Sequence, residues 1–236
     1  MSSGWKKGLC LLGLTGLLCA GWILPQKMKG MKLDVAAEAV QPKEQEEGAV
    51  LETRKIALTF DDGPHSIYTE EMLNVLEEAE VPATFFLLGQ NIEGREELVQ
   101  KIAEKGHLIG NHTFHHVQIT RLSKEDACRE IEETSDLIEE LTGKGTEYVR
   151  PPFGTWNEGL EENLDLIPVM WTIDTRDWTT QNVHAIVEHV VKNAGDNDII
   201  LMHDSYESTV QAAEQIIRLL KADGFEFVTV DEVLFD

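Results

Sequence analysis

Seven short apolar runs, each followed by a segment of helical period or a long polar loop, constrain what this chain can fold into. The runs cover residues 55–60, 82–88, 107–111, 147–149, 168–173, 198–202 and 225–230. Between them, residues 69–80 put Met72, Leu73, Leu76 and Ala79 on one helical stripe, with Thr69 as its expected cap. Residues 96–106, 123–143, 183–195 and 209–224 carry the same period; the second of these opens with Ser123 and Asp126 in capping-box spacing and closes at Gly143. Strands separated by helices are expected to run parallel. The pattern alone does not choose between a closed barrel and an open doubly wound sheet, but the polar residues do. Asp61 and Asp62, His112 to His116, Arg150, Asp174 to Trp178, and His203 with Asp204 each follow directly on a run. Five strands releasing ionisable groups at their C-terminal ends suit a barrel, where those ends converge on one face; an open sheet gathers only those near its switch point. The expected fold is therefore α/β, a distorted (β/α) barrel with about seven parallel strands.

The barrel pattern begins only at residue 54. Before it, two lysines at Lys6 and Lys7 precede an apolar stretch ending at Leu24, which reads as an export signal. Its length and flanks favour an uncleaved membrane anchor over a cleaved leader, since a span needs roughly 20 apolar residues. Residues 1–33 are thus read as signal or anchor, 34–53 as an acidic linker, and 54–236 as the catalytic domain. With 20 Lys and Arg against 43 Asp and Glu, the net charge of -23 argues against nucleic acid as a partner. Three cysteines, two inside the apolar stretch and Cys128 in a helical segment, make no disulfide framework or cysteine metal cluster. The oligomeric state is not written in the sequence.

Two segments could carry chemistry together. In Asn111–His116 (NHTFHH), His112 and His116 are spaced so that one helical turn would bring both imidazoles to one side. Alone, such a pair is more often a set of surface or core histidines. Asp61-Asp62 alone reads as a turn or helix cap. A carboxylate delivered to the same barrel face alters both readings, because two histidines and one aspartate form a facial metal set with open positions. Successive strand side chains point in different directions, so one aspartate could ligate while its neighbour moves protons.

TFDDG, HTFHH, RPPFG, DTRDW and LMHD occur in this order, and together they resemble the five motifs of the polysaccharide deacetylase family, which carries the NodB-homology domain. The likeness covers about residues 54 to 234 and is nearest to the peptidoglycan N-acetylglucosamine deacetylases. It implies a divalent metal on Asp62, His112 and His116, with Asp61 as general base toward a metal-activated water. It also implies that Arg150 pairs with Asp61 and that the Phe153 backbone N–H helps hold the oxyanion. His203 would be the general acid, held by Asp177 in preference to Asp174. Leu201 would line the acetyl-methyl pocket, and Trp178 would wall a sugar groove. Only the backbone of Phe153 is used in this scheme, so its ring is expected not to matter.

The expected activity is hydrolytic removal of N-acetyl groups from N-acetylglucosamine units of a polysaccharide, peptidoglycan first, chitooligosaccharide second and acetylxylan third. The phenylalanine in RPPFG fits the glucosamine-type members better than the muramic-acid ones, which tend to carry arginine there. Zinc is the default metal, with cobalt, manganese or nickel able to take the same ligands. Two readings from other classes stand beside it: a non-haem iron oxygenase and a catalytically inactive glycan-binding module. The former leaves a spare acid and base unexplained. The latter would be expected to have lost one of Asp61, Asp62, His112, His116 or His203, and all five are present.

Overall fold

The computed structural model describes residues 53–160 and 164–235, so the expected anchor and nearly all of the expected linker lie outside the described residues. In chain order the elements are β1 (Arg54–Gly63), α1 (Tyr68–Ala79), β2 (Thr84–Leu87), α2 (Gly89–Ile92), α3 (Glu96–Glu104), β3 (Leu108–Asn111), α4 (Lys124–Thr142), β4 (Tyr148–Val149), β5 (Ile167–Pro168), β6 (Ile173–Asp174), α5 (Val183–Asn193), β7 (Asp198–His203), α6 (Glu207–Ala222), β8 (Phe225–Val228) and α7 (Val230–Phe235), with short 3-10 turns between. No described helix is long and apolar enough to cross a membrane.

The strands form one sheet in the order β5-β4-β3-β2-β1-β7-β6, every pair parallel. β8 pairs with the first half of β1, below β2 on the same side, since β7 covers the other side along residues 56–61. The single strand expected at residues 168–173 is in fact two, at opposite edges of the sheet. Ile167–Pro168 pairs with β4, and Ile173–Asp174 pairs with β7. The four residues between them cross the gap, so the curl is closed by covalent chain where a ladder would complete a regular barrel. That crossing is the distortion. The short apolar run looked like one strand because both its ends pair; of the crossing residues only Val169 is buried, inside the barrel.

Alternation sorts the core into two layers. Ile56, Leu58 and Phe60 of β1, with Phe85, Leu87, Ile200 and Met202, face outward and pack under α1, α3, α5 and α6 side chains such as Leu76, Ile102, Ile186 and Ile216. Ala57, Phe86, Tyr148 and Ile199 face inward with Val169 and Val230. Gly110 is inward too, and a Cβ there would lie 2.5 Å from the Phe86 ring, so only glycine lets that ring fill the barrel. Following the inward face upward, β1 ends at Asp61, β4 leads into Arg150, β3 into His112, and β7 ends at His203. One parity rule thus delivers four ionisable side chains to the same mouth.

Helix ends mostly follow the sequence. Ser123 Oγ accepts the Asp126 N–H at 3.1 Å, and Gly143 takes φ 70° at the end of α4. Thr69 does not cap α1: the helix begins at Tyr68, and the Thr69 hydroxyl instead donates to Asp204 while accepting the His65 N–H at 2.7 Å. The competing acceptor is a fully buried carboxylate, which needs that donor more than a helix end open to water does.

Candidate active site

Arg150 occupies the barrel interior and has no exposed surface. Its guanidinium donates to Thr59 Oγ1 at 2.6 Å, Asp61 Oδ1 at 2.8 Å and the Val169 and Met170 carbonyls at 3.1 and 3.2 Å. It also lies 4.1 Å from the Phe86 ring centroid. The arginine therefore ties β1 to the crossing segment and fixes one oxygen of Asp61. The other oxygen, Oδ2, points at His112 Nε2, 3.7 Å away.

Strict alternation would send Asp62 outward among the helices. The pairing of β1 with β2 slips between Asp61 and Gly63, and Asp62 adopts φ 71°. This β-bulge re-aims its carboxylate toward the mouth. It is the bulge, and not simple strand alternation, that brings the Asp62 carboxylate to the mouth beside Asp61. Asp62 Oδ1 lies 3.5 Å from Nε2 of both His112 and His116.

The histidine pair also converges by a different route from the one expected. Residues 112–116 are not helical; Thr113 and His116 have φ of 69° and 56°, and these two turns fold the loop back. Asn111 anchors it, with Oδ1 accepting the Thr113 N–H at 2.7 Å and Nδ2 donating to the Ile131 carbonyl. His112 Nδ1 donates to the Arg150 carbonyl at 2.6 Å, which leaves Nε2 with its lone pair facing Asp62. Burial, then the neighbouring His112, hold His116 below the ordinary imidazole range, so it too is available as a neutral ligand. His115 points away, onto Glu130 at 2.8 Å.

One atom of each of Asp62, His112 and His116 lies within 4.8 Å of the other two, a spacing that can accept a metal ion. The residues fit such an ion on chemical grounds as well. Asp62 Oδ1 is buried at the convergence point and has no hydrogen-bond partner, an orphaned acceptor 3.5 Å from two imidazole nitrogens.

On the neighbouring strand, His203 is the register partner of Asp61, and Leu201 that of Thr59 one layer below. His203 Nδ1 contacts Asp177 Oδ1 at 2.8 Å, and its own backbone N–H donates to Asp177 Oδ2 at 2.7 Å. Thr209 Oγ1 and the Trp178 N–H complete the hold on this fully buried carboxylate. Burial works against the charged imidazole, but the Asp177 hydrogen bond and charge, aided by Asp61 and Asp62, outweigh it and raise His203 to about 9. Asp174 does not reach His203 and accepts the Arg176 N–H at 2.9 Å, a turn contact. The choice between the two aspartates is thereby decided for Asp177.

Phe153 sits at φ 62° with its ring 64% exposed and packed edge-on against His116, centroids 4.9 Å apart. Its ring therefore lies against one of the three residues of the candidate metal set. Trp178, next to Asp177 in the chain, is 57% exposed. Leu201 is buried under the mouth.

A profile described as polysaccharide deacetylase matches residues 49–168. The chain belongs to the polysaccharide deacetylase family. It is 38% identical over 178 residues to the peptidoglycan-N-acetylmuramic acid deacetylase of Bacillus subtilis, covering 75% of this chain and 38% of that protein. It is 37% identical over 180 residues to the peptidoglycan-N-acetylglucosamine deacetylase of Listeria monocytogenes, covering 76% of this chain and 39% of that one. The chain thus spans under two-fifths of the length of these relatives. The solved structure of the Bacillus subtilis peptidoglycan deacetylase superposes with a TM-score of 0.75 at 37% identity, over 78% of this chain and 91% of that structure. The curled parallel barrel of the polysaccharide deacetylase family is therefore the fold seen here.

Proposed function

We propose that the chain is a metal-dependent N-deacetylase that hydrolyses the acetamide of N-acetylglucosamine units in a polysaccharide, with peptidoglycan as its first substrate. The observation that carries this reading is the meeting of a metal-competent triplet with a carboxylate fixed by Arg150 and an imidazole fixed by Asp177. Asp62, His112 and His116 would hold the divalent ion, zinc by default, with cobalt, manganese or nickel suited to the same donors. When bound, such an ion supplies Lewis acidity toward the acetyl carbonyl and makes a nearby water more acidic.

The protein's own groups do the rest. Asp61 accepts the proton of the water that attacks the acetyl carbon; Arg150 pairs with the carboxylate and aims it. His203, kept protonated by Asp177, gives its proton to the nitrogen as the carbon–nitrogen bond breaks, so acetate and a free amine leave. The Phe153 backbone N–H is assigned to the developing oxyanion, Leu201 to the acetyl methyl and Trp178 to the face of a sugar ring.

Glucosamine is favoured over muramic acid because muramic acid carries a carboxylate. The exposed side chain packed against His116 is the uncharged ring of Phe153, where a cation would be wanted. Chitooligosaccharides and acetylxylan remain the second and third substrates. The apolar stretch up to Leu24 supports export and a membrane tether, which would place the domain outside the cell against its polymer. Five intact chemical groups at one mouth are of no use to an inert glycan-binding module, and a spare acid and base are of no use to an iron oxygenase. The test is acetate release from isolated muropeptides and from N-acetylglucosamine oligomers by the metal-loaded chain. Release from glucosamine units is expected; no release from any N-acetylated glycan would overturn the reading.

A further inference from the structure

Beside the mouth, where the chain leaves β1, β6 and β7, lies a cavity of about 360 Å³ lined by Tyr68, Gln181, Ser205, Tyr206, Ser208 and Gln211, among others. The catalytic scheme uses none of these side chains. Ser205 follows His203 by two residues, so its Cα lies within about 7 Å of that of the histidine, and Tyr206 within about 11 Å. The cavity and the mouth therefore open on the same face of the barrel.

Its lining is mostly polar, with Val183 as an aliphatic patch. Two phenol rings offer flat apolar faces with polar edges, two primary amides offer paired donors and acceptors, and serines offer hydroxyls. A pyranose presents the complement, C–H faces and a rim of hydroxyls. One wall is already ordered. The Tyr68 ring stacks on His65 with centroids 4.8 Å apart and an interplanar angle of 16°. His65 Nδ1 accepts the backbone N–H of Ile67 and of Tyr68, each at 3.2 Å, while the His65 N–H is held by Thr69. This gives His65 a positioning task the sequence did not reveal. Ser208 Oγ is buried without a hydrogen-bond partner. The Glu207 carboxylate, held by Gln211 Nε2 at 3.0 Å, also lines the cavity and opposes an anionic ring.

We propose that this cavity is a subsite for a neutral pyranose of the glycan, a neighbour of the unit whose acetamide reaches the catalytic mouth. The proposal rests on the deacetylase reading for its substrate class but is testable by binding alone. The probe is the pentamer of N-acetylglucosamine, titrated into the full chain carrying Asp61→Asn and followed by NMR of labelled tyrosine rings. Shifts of the Tyr68 and Tyr206 resonances that saturate with pentamer support the subsite; unmoved resonances overturn it, whether or not the wild type turns over. In the active chain, Gln181→Ala and Gln211→Ala change exposed side chains and keep the fold testable. Together with Tyr206→Ala they should lower the ratio of pentamer to disaccharide kcat/KM about tenfold, with Tyr206→Phe retaining most of it. A ratio unchanged in all three alanine variants overturns the subsite, whereas a wild type that releases no acetate overturns the deacetylase reading instead.

Discussion

Arg150→Met tests how the barrel interior is held. The substitution keeps a long apolar stem but removes the guanidinium, which is fully buried and paired with Asp61 at 2.8 Å. What remains is a buried carboxylate without its partner, and breaking a buried pair from one side typically destabilises by about 3–5 kcal/mol. The Val169 carbonyl, in a residue 1% exposed, also loses its 3.1 Å donor, adding roughly 1–3 kcal/mol. Met170 is more open and water can replace its lost bond, so it adds little. The expected loss is about 4–8 kcal/mol, much of the roughly 5–15 kcal/mol that holds a domain together. Urea unfolding of the metal-free chain, followed by circular dichroism, should show a midpoint lowered by roughly 2–4 M at a slope of about 2 kcal/mol per M. Adding Asp61→Asn to Arg150→Met removes the stranded charge and should restore about 2 kcal/mol. An Arg150→Met chain within about 1 kcal/mol of wild type, or a double variant less stable than Arg150→Met alone, would refute the reasoning.

Other perturbations separate the roles within the mouth. Asp61→Asn and His203→Ala should each abolish turnover while elemental analysis still finds bound metal; wild-type rates in either would remove that residue from the chemistry. Asp62→Ala or His112→Ala should lose stoichiometric metal, and full occupancy would exclude the assignment. In the metal-free chain the His203 imidazole should titrate at about 9 by NMR and drop toward the ordinary range in Asp177→Asn. Because that folded-state pKa is raised, its stabilisation is fully present below the unfolded value near 6.5 and is lost as pH climbs through 9. Asp177→Asn should therefore flatten the fall in stability over that window, and an unchanged slope would count against the pair. Ser123→Ala should lower stability by about 1 kcal/mol through the lost α4 cap, read from a thermal melt.

That Asp61, Arg150 and His203 follow apolar runs was legible in the sequence; which parity faces inward was not, because both alternate sets of those runs are apolar. The five polar clusters were legible too, since a barrel demands that they meet. Asp62 was recognisable as a partner but not the device that aims it: a bulge leaves no mark in composition, and an aspartate at φ 71° reads like any other. The His112–His116 loop misled for a similar reason, as the spacing of a helical turn is also reached by two left-handed residues in a loop. The run 168–173 hid a crossing, because both its ends do pair in the sheet and Val169 is buried between them, as in a single strand. His65 and Ser208 were invisible, since a stacked imidazole and an unpartnered hydroxyl exist only once distant segments have packed.

The account stands on one cation held by three side chains from β1 and the loop after β3. Anomalous diffraction from crystals of the zinc-loaded chain, collected at the metal edge, tests this most directly. The account predicts one strong peak bonded to the Asp62 carboxylate and to Nε2 of both His112 and His116, with Asp61 and His203 beside it and not coordinating. A peak on any other set of residues, or zinc bound to the protein with no peak among these three, would contradict it.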